Sequence, residues 1–227
     1  MNTPSSKHMA RYRAGDGPFL APGCLHAPTF LRNSPPIIAA LSPFLAGASG
    51  PVLEIGSGTG QHAAAMALAF PGLRWVASDP DEIHRVSIAA WAEKLRAPSD
   101  APLDLDATMP WHGRDDVAAL GPLRAVVSMN VIHIAPVAVL DNILLGASRR
   151  LAPGGLVIFY GPFTEAGRHT GAGNAAFDQG LRAENPEWGL RDLDQITQDA
   201  LKLGLNRRAL LTLPANNRIV VLQKEAT

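Results

Sequence analysis

The 227 residues are 47% hydrophobic and 18% charged, and twenty basic side chains balance twenty acidic ones. This composition suits one globular domain with a full core, and the neutral balance argues against an electrostatic nucleic-acid binder. Apolar runs such as Leu156–Phe159 are too short for a membrane span, no signal-peptide pattern opens the chain, and the single cysteine, Cys24, cannot close an internal disulfide, so a cytoplasmic protein is expected.

Residues 1–9 read as a leader, with Met9 a candidate start. Residues 10–30 are rich in Gly and Pro and read as loop. The expected boundary puts a leader and Pro/Gly-rich segment at 1–31 and one domain at 32–227. Asn33 or Ser34 is a candidate cap for a helix beginning at Pro35-Pro36, with Ile37, Ile38, Leu41, Phe44 and Leu45 as its apolar face. Val52–Ile55 reads as the first strand, 62–70 as a helix closed by Pro71-Gly72, and Leu73–Ser78 as the second strand. A helix follows Pro80-Asp81, with Ile83, Val86, Ile88 and Trp91 apolar. Pro102–Leu105 is a short third strand and Leu123–Met129 a fourth. Val137–Arg150 is a helix stopped by Pro153-Gly154-Gly155. Leu156–Tyr160 is a fifth strand, and 161–191 the longest irregular stretch, with a short helix capped by Asn174. A helix over 193–203 ends at Gly204, and Arg208–Leu213 and Ile219–Leu222 form the last two strands around Pro214-Ala215-Asn216-Asn217. The alternation predicts an α/β fold: a doubly wound, seven-stranded, mostly parallel Rossmann-like sheet, helices on both faces, and an antiparallel last strand.

The first strand and helix meet in Glu54-Ile55-Gly56-Ser57-Gly58-Thr59-Gly60-Gln61-His62. A strand turning into a helix through small residues is a nucleotide-binding corner. Glycine lets the backbone turn tightly and approach a ligand, and the helix N-terminus offers free N–H groups. The dinucleotide fingerprint is G-x-G-x-x-G. Here the third glycine comes one residue early, and an acid stands two residues before the first. That acid suits a cationic group better than a pyrophosphate.

Asp79 ends the second strand, where a carboxylate can accept both hydroxyls of a ribose; capping the next helix is its structural alternative. Asp106 follows the third strand and, accepting only when ionised, suits an N–H donor, with Asp104 its competitor. Asn130 and His133 end the fourth strand, and an imidazole of near-neutral pKa there could take a proton from an attacking nucleophile. Tyr160 ends the fifth strand. The 161–191 stretch, carrying His169, Phe177, Arg182, Trp188 and Arg191, reads as a lid over an acceptor pocket. The seven histidines have no metal-ligand spacing, and G-S-G-T-G lacks the central serine of a hydrolase elbow.

The E-x-G-x-G-x-G string resembles motif I of the class I S-adenosylmethionine (SAM) methyltransferases. Further motifs resemble a small group within them that spans bacteria and animals and is mostly filed as a domain of unknown function. These are Ser78-Asp79-Pro80-Asp81, 130–136, Tyr160-Gly161-Pro162-Phe163, Arg168-His169-Thr170, 174–178, 186–192 and 214–217, over about Arg32 to Leu222. The resemblance implies SAM as cofactor, held by Glu54, Gly56, Ser57, Gly58, Gly60, His62, Asp79, Asp106 and Asn130. It implies a small-molecule acceptor near His133, Tyr160 and His169, with the demethylated product SAH released. The alternatives are a SAM-binding module without activity and an NAD-dependent oxidoreductase.

Overall fold

The computed structural model describes residues 23–226. The leader and most of the Gly/Pro-rich segment therefore lie outside the described residues. Helix α1 (Phe30–Leu45) leads to β1 (Gly50–Ile55), α2 (Gln61–Ala69), β2 (Leu73–Ser78) and α3 (Glu82–Leu95). A single turn, α4 (Asp115–Ala118), precedes β3 (Leu123–Met129), α5 (Val137–Arg150) and β4 (Leu151–Gly161). A small hairpin, β5 (Thr164–Glu165) and β6 (Arg168–His169), is followed by α6 (Ala172–Glu184) and α7 (Leu193–Leu201). Strands β7 (Leu205–Leu213) and β8 (Asn217–Lys224) close the chain.

The main sheet has the order β2-β1-β3-β4-β8-β7. The first four strands are parallel, and β8 runs antiparallel to both its neighbours. Side-chain alternation sends Leu53, Ile55, Val126, Val157, Phe159 and Val220 to one face, under α5 and α7. Val52, Trp75, Ala125, Val127, Ile158 and Val221 go to the other, with Ile37, Leu41, Met66 and Ile88 of α1, α2 and α3. Both faces are covered, which is why these strands read as near-continuous apolar runs. The chain leaves β1 toward β2 on one side and returns to β3 on the other. That reversal is the topological switch point, where the carboxyl ends of β1 and β3 diverge.

Several boundaries differ from the expected ones. Helix α1 starts at Phe30, five residues before Pro35, so the boundary placed after residue 31 falls inside it. Its first turn closes with Asn33 N–H donating to the Thr29 carbonyl, 2.9 Å, and Asn33 and Ser34 are buried helix residues rather than caps. Pro35, Pro36 and Pro43 lie inside the helix, where each removes the hydrogen bond that would have reached back four residues and crowds that carbonyl. The third strand shrinks to one parallel bridge between Ser78 and Leu103, leaving a six-stranded ladder. Strand β4 begins at Leu151, because the register to β3 shifts between Leu123 and Ala125 and absorbs Pro153-Gly154-Gly155. The 161–191 stretch contains the hairpin and the 13-residue α6, which begins at Ala172 rather than after Asn174.

Candidate cofactor and active site

The β1–α2 corner is held by the end of β2. The Ser78 carbonyl accepts from Gly56 N–H (3.0 Å) and Ser57 N–H (2.9 Å), and Ser78 Oγ donates to the Glu54 carbonyl (2.7 Å). Two glycines are required by space as well as by φ. Gly56 has φ 73°, and a Cβ there would stand 2.6 Å from Val131 Cγ2. Gly60 has φ 83°, and a Cβ there would stand 2.4 Å from the Ile88 Cα. The first lets the loop touch the β3 end; the second lets α2 seat against α3.

Asp79 is buried at the β2 end. Its Oδ2 accepts from Gly58 N–H (2.9 Å), and its Oδ1 accepts from Asp81 N–H (3.0 Å). His84 Nδ1 lies 3.0 Å from the same Oδ1. An ionised carboxylate offers about four acceptor directions. Three are engaged, which leaves one on Oδ2 for a ligand hydroxyl and another wherever the His84 ring turns aside. Burial lowers the His84 pKa, but the hydrogen bond and charge of Asp79, with the charge of Asp81, outweigh it and raise it overall. Asp79 does not cap α3. Asp81 does, accepting from Ile83 N–H at 2.8 Å.

A cavity opens at the switch point. Its wall includes Gly56, Gly58, Asp79, Asp106 and Asn130 from the expected set, together with His84, Pro80 and Thr108. Ile55, Leu105, Met129, Val131, Ile134 and Val139 give it apolar sides. A slot with apolar walls, one buried acid at a strand end and one exposed acid across from it has the make-up that suits a nucleoside. Asp106 is exposed, with Oδ1 accepting from Thr108 N–H at 2.8 Å and its other oxygen unengaged by that turn. Asp104 instead pairs with Arg85 at 3.2 Å on the surface.

Asn130 sits in the left-handed region, φ 58°, with its N–H donating to the Tyr160 carbonyl at 2.8 Å. Asparagine tolerates that conformation better than most residues, and such positions cluster at functional sites. His133 is buried, its ring edge-on to Phe177 with centroids 5.7 Å apart. A Cβ on Gly161 would come within 3.2 Å of His133 Cε1 and 3.3 Å of Asn130 Oδ1, so the β3 and β4 ends converge there. Burial, aided by the Arg191 charge, lowers the His133 pKa to about 4. The expected near-neutral imidazole is therefore a desolvated, uncharged one. Tyr160 is buried, and burial, partly offset by Arg32, pushes its pKa to about 12.

His133 and Tyr160 do not line this cavity, and neither do the other expected site residues. Glu54 points by strand alternation into the apolar layer shared with Trp75, whose Nε1–H donates to Oε2 at 2.6 Å. Burial raises its pKa to about 7, against the Trp75 bond and with the Asp79 charge. Ser57 and Gly60 shape the loop from behind. His62 packs edge-on to Phe30 at 5.1 Å, and burial lowers its pKa to about 4. His169 stands on β6, where Nε2 lies 2.9 Å from Asp178 Oδ2. Asp178 also accepts from Leu190 N–H (2.7 Å) and Arg182 Nε (3.2 Å). His84 and Asp178 were missed in the sequence. A histidine five residues past the strand-end acid, in the first turn of α3, is the signal that was available for the first.

Comparisons with solved structures agree with this architecture. An O-methyltransferase family protein from Burkholderia thailandensis matches with a TM-score of 0.72 at 15% identity, over 87% of this chain and 57% of that one. Human N-acetylserotonin methyltransferase, solved in complex with SAM, matches at 0.68 and 14%, over 87% and 53%. An O-methyltransferase family 2 protein from Planctomyces limnophilus, solved with apigenin, matches at 0.69 and 16%, over 85% and 57%. The chain thus spans a little over half the length of these proteins, and the shared feature is the fold of the class I SAM-dependent methyltransferases. The family model "Protein of unknown function (DUF938)" matches residues 25–224, so the chain belongs to that family and carries a methyltransferase fold.

Proposed function

We propose that the chain is a SAM-dependent methyltransferase that acts on a small-molecule acceptor through an O, N or S nucleophile and releases SAH. The observation that carries this reading is the convergence of the glycine corner, Asp79, Asp106 and Asn130 on one cavity at the switch point. Asp79, already tied to Gly58 N–H, would accept from the ribose; Asp106 would accept from the adenine amino group between apolar walls. Glu54 supports the corner through Trp75 and Ser78 rather than touching the cofactor. SAM supplies an activated methyl group: the acceptor lone pair forms a bond to the methyl carbon as the C–S bond breaks, and its electrons stay on sulfur. The protein's contribution is to orient the acceptor and exclude water. Asn130, His133 and Tyr160 would border the acceptor, with His169 held by Asp178 farther out.

One observation favours a second reading, a SAM-binding module without turnover. A histidine of pKa about 4 is a weak base for a phenol or thiol. Under the methyltransferase reading, an acceptor that ionises unaided or attacks as a neutral amine suits a site with so weak a base. Calorimetry with SAM, SAH and NAD, followed by a methyl-transfer screen of acidic phenols, thiols, amines and carboxylates with SAH readout, separates the two. SAM binding with no SAH formed across the screen leaves the binding module; NAD binding alone overturns both. Asp79→Ala should weaken SAH binding by on the order of 2–4 kcal/mol, at ~1–2 per hydrogen bond lost. Unchanged affinity in a folded Asp79→Ala protein would remove Asp79 from the site.

A further inference from the structure

The β3–α5 connection that carries His133 is held from outside by the turn that follows α6. We propose that Arg191 is a positioning residue that fixes the His133 loop and the orientation of its imidazole. The proposal rests on the functional reading above, in that the loop borders the transferred methyl group, but its structural content stands separately. The Arg191 guanidinium donates from Nε to the Ile132 carbonyl (3.0 Å) and from Nη2 to the Ala135 carbonyl (2.5 Å). A third bond, Nη2 to the Glu187 carbonyl at 3.0 Å, anchors the same fork to its own turn. Between these two loop carbonyls, the His133 carbonyl accepts from Gly189 N–H at 2.9 Å.

The carbonyls of residues 132, 133 and 135 are thus all satisfied by one short turn, and two of them by one planar side chain. Guanidinium suits this work because its donors diverge in a rigid plane, where an ammonium is a single point of charge. The same cation acts on the His133 ring through its charge, while Phe177 of α6 packs edge-on to the ring and Gly161 of β4 closes against it. Asp178 and Arg182 of α6 stand beside Gly189, whose N–H binds the His133 carbonyl, and with Asp141 they are the other charges that act on Arg191. A fixed positive charge beside a buried imidazole disfavours a second proton and keeps a ring lone pair available. Arg191 would therefore serve two ends with one group: it holds the backbone that carries the ring, and it adds to burial in keeping the ring uncharged.

The test needs no acceptor. The full chain, labelled with 15N-histidine, is titrated by NMR as wild type, Arg191→Met and Arg191→Lys, with and without SAH. In the wild type the His133 ring should stay neutral down to about pH 5, as one sharp signal. In Arg191→Met its pKa should rise by up to about one unit, since Arg191 is the lesser of the two causes that lower it. Arg191→Lys keeps the charge but not the fork. Its His133 pKa should stay near the wild-type value while the ring signal broadens or splits. A His133 titration in folded Arg191→Met that matches wild type overturns the proposal. If that variant does not fold, a single sharp wild-type signal in Arg191→Lys overturns it instead. Loss of SAH binding in the wild type itself would count against the methyltransferase reading and leave the Arg191 result intact.

Discussion

A carboxyl group sealed between two strands resists ionisation because no water solvates the charge. Glu54 is in that position, 1% exposed, with one oxygen held by Trp75 and a pKa raised to about 7. The linkage has a definite sign. Below about pH 4.5 both folded and unfolded chains hold the proton. As pH rises from 4.5 to 7, the unfolded chain releases it and the folded chain does not, so stability falls through that window. The full difference, on the order of 3–4 kcal/mol above pH 7, follows from about 1.4 kcal/mol per pKa unit. His62 and His133, both lowered to about 4, act oppositely. Below the unfolded value near 6.5 they refuse a proton that the unfolded chain accepts, so their contribution is present above that value and lost as pH falls toward 4. The opposing groups partly cancel in the wild-type curve, so the Glu54 effect is read as a difference between proteins. Glu54→Gln keeps an acceptor for Trp75 and removes the titration. Urea unfolding at pH 5 and pH 8.5 should show Glu54→Gln gaining on wild type at the higher pH by about 2 kcal/mol. Parallel pH dependence of the two would mean that Glu54 is solvated after all.

At the scale of elements, Asp192 does the work of two connections. As N-cap of α7 its Oδ1 accepts from Asp194 N–H (3.0 Å) and Gln195 N–H (3.4 Å). Its Oδ2 accepts from Thr164 Oγ (2.9 Å) and Gly167 N–H (2.8 Å), which closes the β5–β6 hairpin onto the helix. Burial raises its pKa, but the four hydrogen bonds outweigh that and hold it below the usual carboxylate range. Asp192→Ala should cost about 1–3 kcal/mol, a cap plus at least one further bond, measured by chemical denaturation. A loss under 0.5 kcal/mol would show the hairpin and helix to be held by packing alone.

The same segment marks the limit of what the chain discloses on its own. Residues 161–191 read as irregular because β5 and β6 are two residues each and α6 is amphipathic without a strong cap. Gly171 stands at the cap position of α6, and Asn174 bonds instead to Thr170 Oγ and to the Asn216 carbonyl. By contrast β1, β2, β3, α5 and the glycine corner were legible, since each combines an apolar run with a Gly, Pro or acid at its end. The set around the cavity was legible where position along a strand decides it, as for Asp79, Asp106 and Asn130. It was not legible where facing decides it. Whether Glu54 points at a ligand or at Trp75 depends on a neighbouring strand 21 residues away, and the Asp178 hold on His169 depends on how α6 folds back over β6.

For the whole molecule, the cavity sits where two halves of the sheet separate, and a ligand there should bind them into one cooperative unit. Its wall draws on the β1–α2 corner, the β2 end with His84 of α3, the segment around Asp106, and the β3 end with α5. These belong to both core layers, which pack against opposite faces of the sheet. A ligand that contacts all of them binds only the folded chain, so it stabilises by mass action. At one hundred times its dissociation constant, SAH should add about 2.7 kcal/mol. For a chain of this size that is a rise in Tm of roughly 5–10 °C, at about 2–4 °C per kcal/mol. SAM should give a comparable rise, and NAD at the same concentration none, because the third glycine is early for a pyrophosphate. Asp79→Ala should flatten the SAH response, and it should also lower the ligand-free Tm, because Gly58 N–H, Asp81 N–H and His84 lose their acceptor. An equal rise with NAD would identify a dinucleotide site. A rise with SAH that survives Asp79→Ala would place the nucleoside elsewhere on the fold and separate the glycine corner from cofactor binding.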